Sequence, residues 1–220
     1  KNSTVIISNQ KKIIKSHIKN KLKNKKNNKL FFNNQFKIIQ KNAKKFIIEF
    51  KKKRFEYNNP KLIGEHQLEN ACTAIATILQ LNEIGFSFSQ KIINAGILKT
   101  VWPGRLERGS LKNIPVYLDG AHNIGGAEKL FKYFKNQNKK VWLILGMLNN
   151  KNLYLYLKKI KPILYGVIAI PIPGEKNSFT SEEISKVCVE LRIICFKKSS
   201  IINANNFLLS KIERKTILIS

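Results

Sequence analysis

Apolar and polar positions follow two different textures along this chain, and the change between them falls near residue 104. The run TVIIS at 4–8 is short, apolar and β-branched, so it predicts a buried strand. Behind it, Ile13, Ile14, Ile18 and Leu22 recur at helical spacing and predict a helix reaching to about residue 26, with a very basic outer face. Between 29 and 62 the pieces KLFF, FKIIQ, KKFIIEF and RFEY are β-rich and separated by Asn-rich turns, which predicts a meander of antiparallel strands. GEHQLENACTAIATILQLNEIG, residues 64–85, predicts a helix with one apolar stripe of Leu68, Ala71, Ile75, Ile78 and Leu79, which Gly85 is placed to end. SQKIINAGILKT, residues 89–100, predicts a second, shorter helix.

After VWPGR the chain alternates. Strands IPVYLD, VWLILG, YGVIAIPI, RIICF and TILIS are separated by helical segments at about 125–135, 151–160, 180–190 and 200–212. Continuous apolar strands between amphipathic helices predict a parallel sheet covered on both faces. The predicted fold class is therefore α/β. Residues 104–220 form a doubly wound, mostly parallel domain, residues 1–103 a β-meander with helices, and Trp102, Pro103 and Gly104 the link between them. With 220 residues and 43% hydrophobic content, the chain has enough apolar surface for one large core or two modest ones.

Charge changes this picture less than its size suggests. The formal net charge is +28, from 41 Lys and Arg against 13 Asp and Glu. Such a field attracts polyanions, and a basic nucleic-acid-binding module is the alternative it raises. The excess runs through the whole chain, however, and Lys, Asn and Ile are enriched together, as a coding bias toward A and T would produce. A nucleic-acid face would interleave basic residues with exposed aromatics, so no specific nucleic-acid partner is predicted. Cys72, Cys188 and Cys195 have no metal-ligand spacing, and their odd number offers no disulfide framework, which fits a reducing, cytoplasmic compartment. No apolar run approaches the roughly 18 residues of a spanning helix, and KNSTVIISNQ lacks the layout of a signal peptide, so no membrane partner is expected. The start at Lys1, the single methionine at Met147 and the apolar end TILIS lead us to expect a piece of a longer protein.

One turn concentrates the candidate chemistry. Asp119 is the only aspartate in the chain, and His122, one of three histidines, follows three residues later in YLDGAHNIGG. Ligands of such sheets bind beyond the carboxyl ends of the strands, which is where Asp119, His122 and Asn123 are expected. Gly120, Gly125 and Gly126 would let backbone approach a ligand, and the following helix start favours an anion. Locally, a strand-ending Asp is just as readily a cap for the next helix.

Three motifs in order resolve more. HQLENA at 66–71, VWPGRLE at 101–107 and LDGAHN at 118–123 closely resemble the folylpolyglutamate synthase and dihydrofolate synthase family of the Mur ligase superfamily. VIISNQ at 5–10 and PGEKNS at 173–178 extend the resemblance over most of the chain. It implies that 1–103 is the C-terminal part of a central P-loop ATPase domain and 104–220 a Rossmann-like C-terminal domain, truncated at its end. It implies a monomeric ATP-dependent ligase that phosphorylates a carboxylate of dihydropteroate or a reduced folate and joins the acyl phosphate to L-glutamate. Asn70 would then meet the nucleotide base region, Arg105 the phosphates and Asp119 the nucleotide, with His122 beside it as the catalytic candidate. Arginine offers phosphate a fixed fork of donors, and an ionised aspartate only accepts hydrogen bonds.

Each residue also has a plainer reading: Asn70 as a helix-face polar group, Arg105 as a partner of Glu107, His122 as a turn cap. Lys151 stands where the family often has a Lys-Asp pair, but here Asn152 follows it. No GxxxxGK[ST] loop occurs in the 220 residues, so the phosphate cradle and the ligands of the expected Mg²⁺ would lie in a preceding segment. Muramyl-peptide ligases are the rivals within the superfamily.

Overall fold

The computed structural model describes residues 3–211 and 217–220, with the side chain of residue 211 left aside. The chain divides into two compact units, Lys1–Val101 and Trp102–Ser220.

In the first unit, strand β1 (Thr4–Ile7) leads into helix α1 (Lys12–Leu22) and returns as β2 (Asn28–Phe31), paired parallel to β1. KLFF is therefore not part of the meander. A parallel pair needs a crossover, and α1 supplies it. The meander is three-stranded: β3 (Phe36–Lys41), β4 (Lys45–Phe50) and β5 (Lys53–Asn58), all antiparallel. Alternation along β4 buries Phe46, Ile48 and Phe50, while Lys51 and Lys52 take the left-handed conformation that lets a two-residue turn reverse the chain into β5.

Helix α2 (Glu65–Asn82) and helix α3 (Gln90–Lys99) pack on this sheet, and Gly85 (φ 106°) follows the first of them as expected. The buried face of α2 is rotated from the predicted stripe. Cys72, Ile75, Ala76 and Leu79 are buried, whereas Leu68, Ala71 and Ile78 sit at the margin of the core. Small residues at Cys72 and Ala76 let the helix approach the sheet closely, a preference that hydrophobicity alone does not rank.

The second unit is a six-stranded α/β sheet: β6 (Glu107–Leu111), β7 (Ile114–Leu118), β8 (Val141–Leu145), β9 (Leu164–Ala169), β10 (Cys195–Lys197) and β11 (Ile217–Ile219). Their spatial order is β10-β9-β8-β11-β7-β6, parallel throughout except for β6, which is antiparallel to β7. Helices α4 (Ile124–Asn136), α5 (Leu153–Ile160), α6 (Ser181–Glu190) and α7 (Ile201–Lys211) connect them.

Every residue of β8 is buried, as a central strand covered on both faces requires. Thr180 and Glu183 form a reciprocal capping box that starts α6. Strand β6 escaped prediction because ERGSL carries a single apolar residue, as an exposed edge strand can. The predicted YGVIAIPI strand ends at Ala169, and RIICF contributes only from Cys195 onward. The predicted helix end at 212 and strand start at 216 lie outside the described residues. The C-terminal strand β11 does not extend the sheet but enters between β7 and β8.

Candidate functional site

At the carboxyl end of β7, the main chain leaves the sheet through Asp119, whose N–H still donates to Ile219 O at 3.0 Å, and turns through Gly120, Ala121 and His122. Asn123 then caps α4: its Oδ1 accepts the Gly126 N–H at 2.9 Å. The cap is thus Asn123, and Asp119 has another occupation. Its Oδ1 accepts the Ala121 N–H at 2.9 Å and its Oδ2 the Leu106 N–H at 2.8 Å. One carboxylate closes its own turn and holds the preceding loop.

That loop is the WPGRLE segment. Gly104 (φ 66°) accepts through its carbonyl from the Gly120 N–H at 2.9 Å and donates its own N–H to Glu107 Oε2 at 3.0 Å. Leu106 has φ 48°, uncommon for a bulky residue, yet its side chain is only 1% exposed. Burial of the leucine and the hydrogen bond from its amide to Asp119 together hold the unfavourable backbone. Burial pushes the Asp119 carboxyl above the ordinary aspartate range, against the opposing pull of the two backbone N–H donors, Arg105 and Lys129.

Arg105 is exposed at the tip of this loop, with its guanidinium 5.9 Å from the centre of the Trp102 ring, a cation–π distance. Glu107 is engaged with the Gly104 amide, and Trp102 is 61% exposed. His122 is exposed, and its Nδ1 lies 2.8 Å from Gly120 O. The carbonyl can only accept, so Nδ1 is the donor in this contact and Nε2 is the ring nitrogen left facing outward. Asn70 lies in the first unit, on the exposed side of α2, donating through Nδ2 to Gln67 Oε1 at 3.0 Å. Within the second unit the structure thus gathers Arg105, Asp119 and His122 around one loop and one turn, while Asn70 belongs to the other unit.

The remaining expectations divide. Gly126 does not face a ligand: a Cβ there would meet Ala121 Cβ at 2.7 Å, so the glycine is required by packing of α4 on the turn. Asn152 caps α5 by accepting the Leu155 N–H at 3.0 Å, which accounts for an amide beside Lys151. Two residues were missed. The Ser220 hydroxyl donates to Ala121 O at 2.7 Å and accepts from the hydroxyl of fully buried Tyr156 at 3.1 Å, bracing the turn from β11. Neither stood out in the sequence, because the link joins positions 99 residues apart. Among the described residues, no three His, Cys, Asp or Glu side chains are grouped to hold a metal ion, and no helix is long and apolar enough to cross a membrane.

A parallel α/β sheet whose carboxyl edge carries a glycine-bearing turn and a helix start defines a class of phosphate-ligand sites. Comparison with solved structures bears on the fold. A Mycobacterium tuberculosis folylpolyglutamate synthase complexed with ADP superposes with a TM-score of 0.81 at 17% identity, covering 97% of this chain and 51% of that one. No family model matches the chain. In sequence, the dihydrofolate synthase/folylpolyglutamate synthase of Bacillus subtilis is 32% identical over 128 residues, 57% of this chain and 30% of that enzyme. A UDP-N-acetylmuramoyl-L-alanyl-D-glutamate--L-lysine ligase of Streptococcus mutans is 29% identical over 188 residues, 81% of this chain and 38% of that ligase. The chain is similar to the C-terminal half of the folylpolyglutamate synthases and dihydrofolate synthases, as its three motifs implied. It spans about half the length, or less, of the relatives it matches.

Proposed function

We propose that this chain is the C-terminal part of an ATP-dependent amide ligase that adds L-glutamate to dihydropteroate, to tetrahydrofolate polyglutamates, or to both. One observation carries the reading: the Asp119 clamp that joins LDGAHN to WPGRLE and leaves Arg105 and His122 exposed on one edge of the sheet. ATP would supply the phosphoryl group that activates the substrate carboxylate before the glutamate amine displaces phosphate.

In this reading Arg105 meets the phosphate oxygens. Its guanidinium can spread over the Trp102 ring and still present N–H donors outward, and a positioned cation stabilises a transferring phosphoryl group. Each oxygen of Asp119 has one backbone donor and a second lone pair, so a donor on the nucleotide can be accepted without releasing the loop. The His122 ring, oriented by Gly120 O, can accept a proton or hydrogen bond at Nε2. Asn70 is assigned to the nucleotide base region, residues 1–103 to the central ATPase domain and 104–220 to the C-terminal domain. Mg²⁺ would neutralise phosphate charge, and we assign it no ligand among the described residues. A monomeric, cytoplasmic enzyme completes the proposal.

The match to the Streptococcus mutans ligase, which covers more of this chain, supports a second reading in which the acceptor is a muramyl peptide. Phosphate release from ATP by the longer protein containing this chain separates the two. Turnover with dihydropteroate or tetrahydrofolate and L-glutamate is expected. Turnover only with a muramyl peptide and a diamino acid would replace the folate reading, and none with either pair would overturn both. The 220 residues alone, having no Gly-rich phosphate loop, are expected to be inactive in the same assay.

A further inference from the structure

We infer that Cys188 and Cys195 form a redox-active dithiol at the outer edge of the second unit, one that a small disulfide such as oxidised glutathione closes into an intramolecular disulfide. Nothing in the ligase chemistry uses these residues, and sequence spacing had marked them only as unpaired thiols.

The fold brings them together. Cys188 lies in the last turn of α6, and the chain reverses at Leu191 and Arg192, the latter at φ 53°. The Ile193 N–H returns to Cys188 O at 2.8 Å, and the Val167 N–H fixes Ile194 O against β9 at 2.8 Å. Cys195 then opens β10, paired with Val167, and α6 packs on this edge of the sheet. In that position the side chains of Cys188 and Cys195 interact, and Cys195 Sγ also lies 3.9 Å from Phe196 O.

The two thiols differ in the way a nucleophile and a resolving thiol must. Cys188 is fully buried, whereas Cys195 is partly exposed. The Cys188 thiol, and after it the Ser185 hydroxyl, the Ala169 N–H and the charge of Lys197, favour a Cys195 thiolate and hold it below the ordinary thiol range against the opposing effect of partial burial. Cys188 is pushed the opposite way, first by its interaction with Cys195 and then by burial. Cys72, buried in the first unit with its thiol pushed up to about 12, provides an inert internal reference.

The chemistry balances. The Cys195 thiolate attacks one sulfur of oxidised glutathione, their S–S bond forms, and one glutathione leaves as thiolate. The interaction with the Cys195 thiolate that held the Cys188 proton is then gone, and burial alone still raises the thiol. Cys188 gives its proton to solvent and attacks Cys195 Sγ, expelling the second glutathione. Two protein thiols are oxidised by two electrons, and one disulfide is reduced to two thiols.

The test is a peptide map of the reduced 220-residue chain, incubated natively with oxidised glutathione and then alkylated. A Cys188–Cys195 linked peptide is expected, with no lasting glutathione adduct and Cys72 unmodified until unfolding. Cys188→Ser should stop at a stable adduct on Cys195, and Cys195→Ser should give neither adduct nor link. Because either serine could disturb folding, the unmutated chain is also alkylated natively in brief pulses, where Cys195 should react at least tenfold faster than Cys188. A lasting adduct on the unmutated chain, a link through Cys72, or equal alkylation rates would overturn the proposal.

Discussion

Asp119 Oδ2 accepts the main-chain N–H of Leu106 across 13 residues of sequence, at 2.8 Å. The single aspartate of the chain therefore holds a leucine in a backbone conformation that leucine avoids, and that leucine lies between Arg105 and Glu107. The geometry of the exposed arginine thus depends on a carboxylate that holds the residue next to it in the chain.

Replacing Asp119 with Asn keeps one acceptor but turns an NH₂ donor toward either Leu106 N–H or Ala121 N–H. Losing one hydrogen bond to a charged group should cost about 1–3 kcal/mol, less whatever is regained by no longer burying a charge. Trp102 and Trp142 both lie in the second unit, so its melting is followed by tryptophan fluorescence. An unchanged midpoint would remove the clamp from the account.

The same residue sets a pH dependence. Burial raises the Asp119 carboxyl above its ordinary 3.8, so above that pH the folded chain holds the proton more tightly than the unfolded chain does. More protons bound in the folded state means stability falls as pH rises through this window. Melting of the original chain minus that of Asp119→Asn should therefore decline from pH 3.8 upward, and a rise would reverse the sign assigned to burial.

Two adjacent glycines should respond oppositely to alanine. Gly126→Ala drives a Cβ into Ala121 and is expected to lose about 1–3 kcal/mol through overpacking. At Gly125 the nearest atom to a new Cβ is Asn123 Oδ1 at 3.4 Å, so alanine should be neutral or gain up to about 1 kcal/mol from helix propensity. Urea titrations of the two variants make the comparison.

Tyr57 is 1% exposed, and its hydroxyl has no hydrogen-bond partner among the described residues. Tyr57→Phe removes that polar atom with little change in shape, and should raise the stability of the first unit by about 1 kcal/mol. Far-UV circular dichroism during urea unfolding measures it, and a loss would reveal a partner for the hydroxyl.

In the longer protein, Arg105→Lys keeps the charge and discards the fork that phosphate oxygens would meet. Catalytic efficiency with ATP should fall about tenfold to a hundredfold, roughly 1.4–2.7 kcal/mol, with the melting temperature unchanged. Unaltered kinetics would return Arg105 to the protein surface as an ordinary charge.

Periodicity and composition by themselves determined most of the elements, the edge strand β6 excepted. The continuous apolar runs at 141–145 and 164–169 and the helical stripes between them could be satisfied only by a covered parallel sheet, because each residue's burial repeats with the period of its own backbone. The same local rule located Asp119 at a strand end. It could not say what Asp119 holds, since a hydrogen bond to Leu106 is a property of two segments brought side by side. Nor could it seat β11 between β7 and β8, join Ser220 to Ala121, or bring Cys188 against Cys195. These were decided by the tertiary structure, where partners are chosen by the packing of whole strands and helices and leave no repeating trace in the chain.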